Sequence, residues 1–185
     1  MEKLKIVAIV GSLRRGSFNR QLAMAAKDAV GGRADFELLD YADVPLMNQD
    51  IEFPAPDAVR RVREKVKAAD GIWFFSPEYN HSYSGVLKNL IDWLSRPTSK
   101  TEPHVLFGKP AAVSGITPGK FGTVTAQDNL VSLISILNMD VMNSPRLSIP
   151  NATQQLDKDG NLHLTSSAAF LQAQAEAFLT FIKNR

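Results

Sequence analysis

Residues 4–32 read LKIVAIVGSLRRGSFNRQLAMAAKDAVGG, and this stretch decides the fold. Leu4–Val10 is a β-branched apolar run broken only by Lys5, the pattern of a buried strand. It stops at Gly11 and gives way to the polar loop SLRRGS. From there Phe18, Leu22, Ala25, Ala26 and Ala29 recur at helical spacing until Gly31-Gly32 ends the run. Strand, glycine-bearing loop and helix in that order open a parallel α/β unit.

The remainder repeats the unit. A second strand is expected at 35–39, then an irregular connection over 41–56 that contains three prolines. Helix two begins near Pro56, which suits a first helical turn, and turns Val59, Val62, Val66 and Ala69 to one face. Residues 72–75 are a short aromatic-rich apolar run and read as a central strand. Ser84 is the expected N-cap of a helix with Val86, Leu87, Leu90, Ile91 and Leu94 inward. Pro110–Ile116 reads as the fourth strand, 117–122 as a loop with two glycines and a proline, and Leu130, Leu133, Ile134 and Leu137 as a fourth helix. A short fifth strand falls within 141–149, and Phe170, Leu171, Phe178, Phe181 and Ile182 mark a C-terminal helix. Five strands alternating with five helices predict a doubly wound α/β sandwich, a single domain spanning residues 1–185.

Composition narrows the chemistry. The absence of cysteine excludes disulfides, thiolate zinc sites and cysteine-ligated iron-sulfur clusters, so redox chemistry requires a bound cofactor. His81, His104 and His163 lack metal-ligand spacing, and no metal site is expected. The first ten residues hold too short an apolar run for a secretory segment or a membrane span, which predicts a cytoplasmic protein without membrane insertion. Arg14, Arg15 and Arg20 cluster where an anionic ligand would be attracted. The net charge of +2 is nevertheless far from that of a nucleic-acid binder, and the charges over 60–67 read as a solvated helix face. Trp73 and Trp93 read as core or subunit-interface residues.

In a doubly wound sheet the ligand sits beyond the carboxyl ends of the strands, where strand order reverses. The loops beginning at Gly11, Ser76 and Ser114 are therefore the candidates. The first offers two hydroxyls, two guanidinium groups, an amide and a helix N-terminus, a donor set suited to a phosphate monoester. It lacks both the Lys-Ser/Thr end of a triphosphate loop and the three-glycine dinucleotide fingerprint. The second sets a φ-fixing proline beside a large aromatic and an amide, able to border a flat heterocycle.

GSLRRGSFN (11–19) followed by SPEYNHSYSGVLKNLIDWLSRP (76–97) resembles the NADPH-dependent FMN reductase family, particularly its chromate- and quinone-reducing branch. The resemblance implies a flavodoxin-like three-layer sandwich with a five-stranded parallel sheet of order 2-1-3-4-5. It also implies bound FMN, with NADPH or NADH as co-substrate. Ser12, Arg14, Ser17, Phe18 and Asn19 would grip the FMN phosphate. Pro77, Glu78, Tyr79 and Asn80 would border the ring, and Ser114, Gly115, Pro118 and Gly119 its pyrimidine side. Arg96, His81 and Phe121 are the substrate-facing candidates. No side chain is expected to act as nucleophile or general base, because hydride transfer runs through the flavin.

Quinones, chromate, ferric chelates, azo compounds and free flavin are the small acceptors implied. A homodimer is implied too, with a homotetramer left open. Relatives often carry a paired glycine where this chain has Pro118-Gly119-Lys120-Phe121-Gly122. The trio that builds tetramers is missing from 125–129 and Pro145-Arg146. The competing functions are an electron-transfer flavodoxin, disfavoured by the slightly basic charge, and a nucleotide- or phosphosugar-binding regulator without redox chemistry. Nothing in the loops separates NADH from NADPH, since the acidic ribose-binding residue of dinucleotide folds is not apparent.

Overall fold

The computed structural model describes residues 3–99 and 102–185. Its centre is β1 (Leu4–Val10), which pairs in parallel with β2 (Ala34–Leu38) on one side and β3 (Gly71–Phe75) on the other. β4 (Pro110–Ile116) lies beyond β3, giving the order β2-β1-β3-β4-β5. Strand order thus reverses between β1 and β3, which fixes the crevice where a ligand belongs.

Alternation along the strands divides the core into two layers. Ile6, Ala8, Val10, Trp73 and Phe75 face α1 (Phe18–Val30) and α5 (Ala168–Lys183), packing on Leu22, Ala26, Leu171 and Phe178. Val7, Ile9, Ile72 and Phe74 face the other way, toward Val62 and Val66 of α2 (Asp57–Lys67), Leu87 and Ile91 of α3 (Gly85–Leu94), and Leu130 and Ile134 of α4 (Val124–Ile136). The sandwich is the flavodoxin-like one expected. Among the described residues no helix is long and apolar enough to cross a membrane.

Three details differ from the sequence reading. The fifth strand is divided into β5 (Asp140–Val141) and β6 (Leu147–Ile149), both parallel to β4 and opposite its two ends. Pro145 lies between them and has no N–H for the ladder. Val86, expected inward, is exposed, as is Phe170 at the start of the C-terminal helix. Each directly precedes the first residue of its helix's buried stripe, a position about 100° around the axis. β2 and β3 each begin one residue early, at Ala34 and Gly71.

One polar chain crosses the core beneath the rim. Trp73 Nε1 donates to Ser114 Oγ at 2.8 Å, and that hydroxyl donates to Gln174 Oε1 at 2.7 Å. Gln174 Nε2 then donates to the Val113 and Pro145 carbonyls, each at 3.0 Å, so β3, β4, α5 and the segment between β5 and β6 share one network. All three residues are fully buried, where an unmet partner is costly. Ser114→Ala strands the Trp73 donor and removes a donor to Gln174. The expected loss is about 1–3 kcal/mol, read as a lower urea midpoint at unchanged m value; an unmoved midpoint would remove this network from the account of the rim.

Candidate functional site

The three candidate loops meet at the carboxyl rim because specific contacts pin them together. Gly11 N–H donates to the Phe75 carbonyl at 2.8 Å, so the first loop starts as a continuation of the β1–β3 ladder. A Cβ on Gly11 would lie 2.9 Å from Pro77 Cδ and 3.3 Å from Ser84 Oγ, which is why a glycine stands where the first and second loops touch. Ser17 caps α1, its buried Oγ accepting from Arg20 N–H at 3.3 Å while keeping its own proton to donate. First-turn amides of a helix have no intrahelical acceptor and, with the helix dipole, favour an anion. Arg14 lies with its guanidinium carbon 5.1 Å from the Phe18 ring centroid.

Asn19 holds a different position from the expected one. Its side chain is buried and doubly bonded to Ile116, donating to the carbonyl at 2.9 Å and accepting from the N–H at 3.1 Å. The amide therefore ties α1 to the end of β4 and is not directed at a phosphate.

In the second loop Tyr79 and Ser82 exchange backbone hydrogen bonds of 2.8 and 3.0 Å around Asn80 (φ 51°) and His81 (φ 61°). Two consecutive left-handed residues define a primed turn, a conformation that Asn tolerates better than His. The turn is braced from α4. Asn129 Nδ2 donates to the His81 carbonyl at 3.0 Å, and Glu78 Oε2 accepts the Ala126 N–H at 2.9 Å. Thr123, the N-cap of α4, makes no side-chain cap bond, so the carboxylate of Glu78 caps this helix from a neighbouring loop. His81 Nδ1 lies 3.5 Å from the other Glu78 oxygen.

In the third loop Ser114 and Gly115 support the site from below. The Ser114 hydroxyl faces Trp73 and Gln174 in the core. Any Cβ at Gly115 would collide with the Ser76 carbonyl and Thr123 Oγ1, so this glycine brings the second and third loops into contact. Gly119 N–H donates weakly to Thr117 Oγ1 at 3.4 Å, and Asn151 N–H donates to the Gly119 carbonyl at 3.0 Å. Pro118, Gly119 and Lys120 form an exposed lip, and Phe121 is 86% exposed at its tip. Between this lip and Glu78, Asn80 and His81 runs an open groove of about 370 Å³.

On the other side of the first loop a second hollow of about 380 Å³ opens toward the end of β2. Its lining includes Ser12, Arg14, Arg15, Arg20, Asp40 and Tyr41. Tyr41 donates its hydroxyl to the Val10 carbonyl, and burial pushes the phenol upward, so the donor persists at neutral pH.

Arg96 is not brought to this rim. It follows the ten-residue helix α3, whose other end abuts the second loop, a distance of roughly 15 Å at 1.5 Å per residue. Its guanidinium bonds the buried Glu52 at 2.7 Å. Sequence reasoning also missed Gln174, Ser148, which accepts the Thr123 N–H at 2.7 Å, and Asp40. Gln174 had a readable signal: a lone polar residue on the buried stripe that contains Leu171, Ala175 and Phe178.

The model of the NADPH-dependent FMN reductase family matches residues 4–154. A 2-hydroxy-1,4-benzoquinone reductase of a Burkholderia species is 36% identical over 98% of each chain. An NAD(P)H-dependent FMN reductase of Pseudomonas aeruginosa is 37% identical over 98% of this chain and 97% of its own. Among solved structures, the flavoenzyme NAD(P)H:(acceptor) oxidoreductase of Paracoccus denitrificans superposes with a TM-score of 0.88 at 34% identity, covering 98% of each chain.

Removal of the Glu78 carboxylate should loosen both the turn and the helix it caps. Glu78→Ala is expected to cost about 1 kcal/mol, with faster amide exchange at Ala126, whereas Glu78→Gln keeps an acceptor and much of the protection. Unchanged exchange at Ala126 in the alanine variant would rule out the cap.

Proposed function

This chain belongs to the NADPH-dependent FMN reductase family, and from that premise we propose that its three-loop rim holds FMN and serves the reduction of quinones by NAD(P)H. The reading is carried by one observation: an anion cradle and an open groove share one sheet edge. In the cradle, the hydroxyls of Ser12 and Ser17, the Arg14 guanidinium and the first-turn amides of α1 are donors. No carboxylate in residues 11–19 opposes a phosphate dianion. This donor set fits the phosphomonoester of FMN and would leave the second phosphate of a pyrophosphate without its usual glycine-rich backbone. Phe18 carries Arg14, and Asn19 sets the angle of α1, so both serve the cradle by position.

When bound, FMN supplies hydride acceptance and electron delivery. The chain binds it, orients it and leaves one face open. Pro77, Glu78, Tyr79 and Asn80 form one border, stiffened by the proline and by the hold of Glu78 on α4. Gly115, Pro118 and Gly119 form the other, where backbone N–H groups can favour negative charge on a bound heterocycle, with Ser114 contributing through its backbone. Tyr79 and Phe121 offer exposed aromatic surface to a flat acceptor, and the His81 ring offers a hydrogen bond to a quinone oxygen. No residue is assigned as nucleophile or general base.

A quinone is favoured over chromate, ferric chelates, azo compounds and free flavin because a 36%-identical relative is named for a benzoquinone. The reading further takes the chain as one domain and as a cytoplasmic homodimer. The exposed Leu46 and Phe53 of the 41–56 connection give a second copy apolar surface to cover.

Purified protein should show a flavin spectrum and take up FMN at one equivalent. Anaerobic NADH or NADPH should bleach that spectrum, and a benzoquinone should restore it. A protein that takes up no FMN overturns the reading. Arg14→Ala should weaken FMN about ten- to a hundredfold, the loss expected for one charge-assisted hydrogen bond, while leaving the urea midpoint in place; unchanged FMN affinity would remove Arg14 from the cradle.

A further inference from the structure

The chain has ten arginines. Seven donate to a carboxylate or, in the case of Arg63, to the Trp93 carbonyl. Arg14, Arg15 and Arg20 meet no carboxylate or carbonyl acceptor among the described residues, and all three line the hollow at the β1–β2 side of the first loop. A protein that pairs its other guanidinium groups and leaves three free around one hollow has built an anion site there.

The proposed FMN site needs only part of this charge. A phosphate on the N-terminus of α1 with its ring over the second and third loops extends from β1 toward β3 and β4. The hollow lies in the opposite direction, beyond β1, between the first loop and residues 38–42 at the end of β2. The hollow shares Ser12 and Arg14 with the flavin cradle, whereas Arg15, Arg20 and residues 38–42 line it without a part in the FMN reading. Asp40 stands there with them, one carboxylate oxygen accepting the Ala42 N–H at 3.3 Å. With Arg14 assigned to the flavin phosphate, Arg15 and Arg20 set against that carboxylate leave the hollow net positive, suited to a further anion. Leu13, Leu38 and Ala42 add apolar wall, and about 380 Å³ is within the range of small-ligand sites.

In dinucleotide-binding folds an arginine near the end of β2 accommodates a ribose 2′-phosphate; this chain lacks their glycine fingerprint but places free arginines at the corresponding edge. Resting on the FMN reading above, the geometry points to Arg15 and Arg20 as the residues that bind the 2′-phosphate of NADPH and set its preference over NADH. A dinucleotide with its nicotinamide over the open groove would cross the first loop and end its adenosine half in this hollow. The groove is lined by the second and third loops and the hollow by the first loop and the end of β2, so a ligand extended along the rim crosses from one to the other.

The test uses the FMN-loaded protein and an Arg15→Ala, Arg20→Ala double variant. Calorimetry with adenosine 2′,5′-bisphosphate and with 5′-AMP reads the hollow without turnover. The loaded wild-type protein should bind the bisphosphate at least about tenfold more tightly than AMP, and the variant should lose that difference. The NADPH-to-NADH ratio of kcat/KM should fall by a similar factor, with the NADH value and FMN affinity unchanged, and an Arg15→Lys, Arg20→Lys variant should recover part of the ratio.

Equal binding of the two adenylates by the wild-type protein overturns the assignment. So does an FMN affinity that falls in the double variant as far as in Arg14→Ala, since the hollow would then be part of the flavin cradle. Should the wild-type protein take up no FMN, the reading of the rim fails instead, and the same calorimetry on the flavin-free protein still decides whether the hollow selects a 2′-phosphate.

Discussion

The rim depends on how the last peptide of β4 is satisfied. Successive peptides of a strand address alternate neighbours, and the Ser114 carbonyl, facing β3, receives Ser76 N–H at 2.9 Å. Two residues on, Ile116 faces the same side, but β3 has already turned away into the second loop. A buried peptide left there would lack both its partners. The Asn19 amide takes the place of the missing strand, bonding both the N–H and the carbonyl of Ile116 from the first turn of α1. The departure of β3 opens the crevice, and Asn19 lets it open without an unpaired backbone.

The same departure explains the two glycines beneath it. Gly11 lets the first loop lie on Pro77, and Gly115 lets β4 approach the Ser76 carbonyl, so both glycines border the point where β3 becomes loop. The turn at Asn80 and His81 is strained for residues with a Cβ, and it is held by Glu78 and Asn129 through α4. Site and fold are separable only in part. Ser114, Gly115 and Asn19 belong to the architecture, whereas Arg14, Tyr79, Pro118 and Phe121 stand on it with side chains exposed.

This division marks what the sequence made legible. Leu4–Val10 and Pro110–Ile116 were readable to the residue because buried strands leave predominantly apolar runs, here broken only by Lys5 and Ser114. Ser84 was readable as a cap because the reason for its preference is local, and its Oγ accepts Leu87 N–H at 3.3 Å. The partners of Asn19, Ser114 and Arg96 were not readable, because each is set by a residue 40 or more positions away. An amide in a phosphate-type loop reads as a ligand contact until the topology brings Ile116 beside it. The divided fifth strand has the same origin: Pro145 is visible, but the ladder it interrupts is not.

Charge is distributed along the rim as unevenly as shape. At the end nearest β2, three guanidinium groups crowd one hollow, and mutual repulsion there opposes folding, though solvent screens it. At the other end the groove borders Glu78, Asn80, His81 and Lys120, a mixed set without a strong field. Such a gradient orients a ligand before it docks, drawing phosphates to the first loop and leaving the weakly charged groove for an apolar or neutral ring. The arginines are also the exposed side chains whose repulsion a bound dianion relieves. Ligand binding and the stability of this edge are therefore linked, since whatever neutralises the hollow favours the arrangement that Asn19 and Gly115 hold in place.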